Sequence, residues 1–158
     1  GGGSVSEASS IYPNINNMSS LGLRHGIFSL PASSTTTYAL NIPTASQNQS
    51  RAKRLAFRVG TVDITAQALK GFDWVTVRVR LTGGSQSTVT LFNRTAQANT
   101  YLPDYTGTQT VYDRMVDASV PLSLFTGVNL SAVTQVELIF ETAAGVTRQV
   151  YIDDIRFE

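Results

Sequence analysis

Cysteine is absent from the 158-residue chain, which removes both a disulfide framework and thiol chemistry. Histidine occurs once, as His25, so a Ser-His-Asp site would have to use that residue and zinc would find no second imidazole. The chain has no Gly-x-Ser-x-Gly elbow, no phosphate-cradling glycine loop and no aromatic-basic RNA motif. Charged residues make up only 15% and the net charge is +1, too little to attract nucleic acid or a membrane surface in bulk. No apolar run reaches the ~18 residues that a membrane span needs. The acids are scattered, and Asp153-Asp154 is their one recognisable pair, so the opposed carboxylates of a glycosidase are missing. The chain reads as a non-enzyme.

What is present is apolar content of 42% against a background of Ser, Thr, Asn and Gln, a neutral-polar surface around one core. Gly1 to Ser4 reads as a linker, so the chain is expected to be a piece of a longer one. A cysteine-free, small-polar β domain suits a bacterial secreted protein. Val75, Val77, Val79 and Leu81 alternate with Thr76, Arg78 and Arg80, the period of a half-buried strand. Gly83-Gly84 turns the chain, and Thr88 to Phe92 returns as a hairpin partner. Tyr38, Leu40 and Ile42, then Leu55, Phe57 and Val59, then Val136, Leu138 and Phe140 repeat the pattern. In the last strand Val150 and Ile152 share one parity, whereas Ile155 and Phe157 share the other. One core can take both sets only if a residue is inserted between them, which predicts a bulge at Asp153-Asp154. About eight short strands and no long helical period give an all-β fold, an antiparallel β-sandwich of the jelly-roll type. The expected domain spans residues 37–158, after a linker or extension over 1–36 with room for a first strand.

The stretch from Val120 through Leu130, then Val136 to Phe140 and Val150 to Phe157, resembles the end of galactose-binding-like jelly rolls. Leu69 to Leu81 looks like an early core strand of the same domains. Many of these are carbohydrate-binding modules of secreted bacterial glycoside hydrolases. The resemblance implies a non-catalytic module that holds a catalytic domain of the same parent chain on a polysaccharide or oligosaccharide, outside the cell. It also implies a structural calcium ion tying the first strand to the last, with Asp153 and Glu7 at the matching positions. The simpler reading of Asp153-Asp154 is a pair of carboxylates bonding the unpaired amides of a bulge.

Sugar recognition uses aromatic faces for the C–H patches of the ring and planar polar groups for its hydroxyls. Trp74, by alternation, shares a face with Arg78 and Arg80. Packing is an equal use for that tryptophan, and the two arginines could instead pair with Glu137 and Glu141 across the sheet. A second cluster, Tyr101, Tyr105 and Tyr112, falls on or near one loop, where binding residues concentrate. Arg51, Lys53, Arg54 and Arg58 read as a solvated strand edge before they read as an acidic-glycan site. The alternative to glycan binding is a structural or adhesive surface sandwich that binds protein or acts as a spacer.

Overall fold

The computed structural model describes residues 4–9, 24–61, 75–96, 98–99, 115–145 and 148–158, and at 4–9, 24–27, 61, 98–99, 115–116 and 148 it describes the backbone alone. Ten strands run through these residues: β1 (Ser4–Ser9), β2 (Arg24–Leu30), β3 (Thr35–Asn41), β4 (Arg54–Thr61), β5 (Val75–Gly83), β6 (Ser85–Asn93), β7 (Ala98–Asn99), β8 (Met115–Pro121), β9 (Gln135–Thr142) and β10 (Arg148–Phe157). They form two five-stranded antiparallel sheets, ordered β1-β2-β10-β4-β8 and β3-β9-β5-β6-β7. The architecture is an all-β jelly-roll sandwich.

The inward residues are those that the alternation selects. Leu55, Phe57 and Val59 on β4, Val75, Val77, Val79 and Leu81 on β5, and Leu138 and Phe140 on β9 are fully buried in one cluster. Phe28 of the first sheet meets Tyr38 of the second edge-to-face, with ring centroids 4.8 Å apart. The β5–β6 hairpin turns at Gly84, whose φ of +72° suits a residue without a Cβ. Two 3-10 turns, Leu122–Leu124 and Leu130–Ala132, carry the chain from β8 to β9. That crossing is fixed to the hairpin by the Asn129 N–H donating to the Gly83 carbonyl at 2.8 Å, and the Thr134 N–H to the Thr82 carbonyl at 2.8 Å. Among the described residues no helix is long and apolar enough to cross a membrane.

The bulge lies where parity demands it. On β10, Asp153 is opposite Arg58 and Arg156 is opposite Ala56, so two residues face the single Phe57 of β4. Asp154 takes φ +54°, a left-handed conformation that Asp tolerates better than most residues. Ile152 is thereby buried while Ile155 and Phe157 still pack against the same core. The Asp153 carboxylate accepts the Asp154 N–H at 2.8 Å, the local bonding expected of a bulge, and Arg156 pairs with Asp154 beyond it.

The sandwich begins before residue 37. β2 sits between β1 and β10, and its Phe28 and Leu30 are buried in the core, so part of the expected extension belongs to the fold. Its alternation is hard to see in the sequence because His25 and Gly26 interrupt it, and its pairing with β10 joins opposite ends of the chain.

Candidate functional site

The two outward sheet faces differ in chemistry. On the second sheet, cross-strand register sets Arg80 opposite Glu137 and Arg78 opposite Ile139. Arg80 donates through Nε and Nη2 to the two oxygens of Glu137, the latter at 2.8 Å. This fork raises the Arg80 guanidinium further above its ordinary pKa, chiefly through the side-chain hydrogen bond to Glu137. Arg78 donates to Glu141 at 3.0 Å, and Arg94 lies 3.6 Å from the other oxygen of that carboxylate. Arg78 and Arg80, the two expected ligand-binding arginines in the described region, are therefore held by the glutamates across the sheet. Such forks commit guanidinium donors to fixed carboxylates. The rest of this face is Thr35, Thr37, Thr88, Thr90 and Gln135, which bonds Asn41 at 2.9 Å, together with the apolar Ile139 and Ala39.

The outward face of the first sheet carries a different row. Register aligns Asp153 of β10, Arg58 of β4 and Asp117 of β8 across three adjacent strands. Arg58 Nε lies 3.7 Å from Asp117, with the arginine side chain 12% exposed and the aspartate 76%. The next row toward the other end of the strands runs from Ile27 through Tyr151 to Gly60 and Met115. Tyr151 is only 7% exposed and Gly60 and Ala56 are buried, although all three lie on the outward side of the sheet. This face is sheltered, and the sheltered positions include a guanidinium, a phenol and a glycine without a side chain. A sheltered surface with a few convergent polar groups is the usual form of a ligand site.

Arg58 is thus not at a strand edge. β4 is interior to its sheet, flanked by β10 and β8. Arg51, Lys53 and Arg54 are exposed and take no part in the row. Sequence reasoning passed over Tyr151 and Asp117. The signal for Tyr151 was its place between Val150 and Ile152, a large amphipathic side chain on the outward parity. Asp117 carried no local signal, since it becomes informative only when β8 is known to lie beside β4.

Trp74, Tyr101, Tyr105 and Tyr112 lie outside the described residues. Glu7 is aligned with Gly26 and through it with Ile152, two strands from β10 and one position from Asp153 in register. Among the described residues no group of three or more His, Cys, Asp or Glu comes together to hold a metal. The Asp153 carboxylate accepts the bulge amide N–H.

No family model matches the chain, and no curated protein does. Solved structures do match. A family 28 carbohydrate-binding module specific for non-crystalline cellulose superimposes with a TM-score of 0.53 at 12% identity, over 88% of this chain and 78% of that one. The family 11 module from Clostridium thermocellum, in complex with a β-1,3-1,4-mixed-linked tetrasaccharide, gives 0.55 at 11% identity, over 99% and 84%. The fold is that of carbohydrate-binding modules. An exo-β-agarase also matches, with a TM-score of 0.54 and 16% identity over 99% of this chain, which spans only 23% of the agarase chain. At these identities the likeness is one of fold.

Proposed function

We propose that this chain is a non-catalytic glycan-binding module, and that it binds on the outward face of the β1-β2-β10-β4-β8 sheet. The observation that carries the reading is the cross-strand row Asp153–Arg58–Asp117, with its arginine sheltered and Asp117 open to solvent, beside Tyr151. A carboxylate accepts from sugar hydroxyls and a guanidinium donates to them. Charge-assisted bonds of this kind fix the orientation of a sugar ring. The solved modules of the same fold support the choice of ligand class.

The module is secreted and belongs to a larger parent chain, where it holds a catalytic domain near a polysaccharide. Tethering raises the effective concentration of the catalytic site at its substrate, so weak binding by the module is enough. The match to a segment of a much longer agarase chain supports that arrangement. Affinity electrophoresis through gels containing neutral or acidic polysaccharides tests the reading. Retardation by one glycan class is the expected result. Unaltered migration in every gel would overturn it in favour of a spacer or protein-binding sandwich.

A further inference from the structure

A sheet edge exposes unpaired N–H and C=O groups, and proteins blunt such edges with charge, proline, bulges or shortness. Three of the four edges here carry such a device. β7 has two residues, β8 carries Asp117 and ends at Pro121, and β1 carries Glu7. β3 has none. Its sequence Thr35-Thr36-Thr37-Tyr38-Ala39-Leu40-Asn41 has no charge, proline or glycine, and it pairs with β9 over seven consecutive residues without a register shift. Its hydrogen-bond phase is fixed at both ends: the Ile42 N–H donates to the Thr134 carbonyl at 2.8 Å, and the Thr142 N–H to the Ser34 carbonyl at 2.9 Å. Even-numbered residues therefore bond β9, and the backbone groups of Thr35, Thr37, Ala39 and Asn41 point away from the sheet. These four residues are all exposed.

We infer that the β3 edge pairs with the β3 edge of a second copy of this chain. The strand is self-complementary about Tyr38. An antiparallel two-fold pairing sets Thr37 against Ala39 and Thr35 against Asn41, so that every outward backbone group finds a partner. The facing side chains are small and neutral, and no like charges meet. On the other side of the strand Tyr38 and Leu40 are half-buried, and the pairing covers what remains exposed of them. A charged peptide or acidic partner finds nothing on this edge to match its charge, whereas a second copy matches it residue for residue. The pairing uses an edge of the second sheet and no residue of the outward face of the first. The inference does not depend on what that face binds.

Sedimentation velocity of the chain from about 1 µM to about 300 µM, a range that spans modest association constants, tests it. The expected result is a shift from the 17.0 kDa protomer toward twice that mass. Ala39→Pro removes one outward N–H and no bond to β9, and Thr37→Lys sets two cations diagonally across the two-fold axis. Each is expected to stay at protomer mass with its glycan retention unchanged. A wild-type chain that remains a protomer at every concentration would overturn the inference, as would a Thr37→Lys chain that still dimerises. Should Ala39→Pro fail to fold, Thr37→Lys decides alone.

Discussion

Arg80 faces Glu137 directly across the β5–β9 ladder and holds both of its carboxylate oxygens with a two-pronged donor set. The Glu137 side chain is 10% exposed, so little water reaches the pair. Removing one half of such a pair leaves a sheltered charge unmatched, which costs more than the pair itself contributes. Arg80→Ala is expected to lower stability by about 2 kcal/mol in urea unfolding. Arg78→Ala, which breaks a more solvated pair with Glu141, is expected to cost at most about 0.5 kcal/mol. Equal losses from the two would contradict this distinction.

Gly83 is a close-approach glycine. A Cβ there would lie 2.7 Å from the Asn129 carbonyl oxygen and 3.1 Å from that of Ala132, both backbone atoms. Gly83→Ala must therefore push the β8–β9 crossing away from the hairpin, at about 1–3 kcal/mol. At the neighbouring Gly84 a Cβ meets nothing within 4 Å, and only its φ of +72° opposes a side chain. Gly84→Asn is accordingly expected to melt close to the parent, since Asn tolerates left-handed backbone. Thermal melts of the two variants separate the steric cause from the conformational one.

The β10 bulge makes a prediction about length as well as identity. Deleting Asp154 leaves Ile155 and Phe157 on the core side, with Arg156 still opposite Ala56. Inserting one further residue after Asp154 instead flips the parity again and turns both away from the core they pack against. The expected loss is at least about 3 kcal/mol, the burial of two apolar side chains. Asp154→Val keeps the length but places a β-branched residue at φ +54°, at about 1–2 kcal/mol. An insertion variant as stable as the parent would mean that the strand has another way to present its C-terminal half.

Local pattern revealed the strands whose two faces differ. Val75 to Leu81, Leu55 to Val59 and Val136 to Phe140 are strand cores that the alternation marks, and the change of parity between Ile152 and Ile155 marks the bulge. The partnership of Arg78 and Arg80 with Glu141 and Glu137 was one of two readings open for those residues, and it is the one that the register realises. The Asp153–Arg58–Asp117 row was beyond reach because its members come from strands far apart in sequence. Their adjacency is a property of sheet order, which alternation along one strand does not encode. β2 stayed hidden for a related reason: its partner β10 lies at the other end of the chain.

The central claim is that glycan binds the face bearing Arg58 and Asp117 and not the face bearing Arg78 and Arg80. Affinity electrophoresis of Asp117→Ala beside Arg78→Ala, in a gel that retards the parent chain, tests it most directly. Asp117 is largely exposed, so its truncation leaves the core undisturbed. The account predicts that Asp117→Ala loses about tenfold or more in affinity, the scale of one or two charge-assisted hydrogen bonds, while Arg78→Ala stays within about twofold. Full retention by Asp117→Ala together with lost retention by Arg78→Ala would move the site to the opposite sheet and contradict the account.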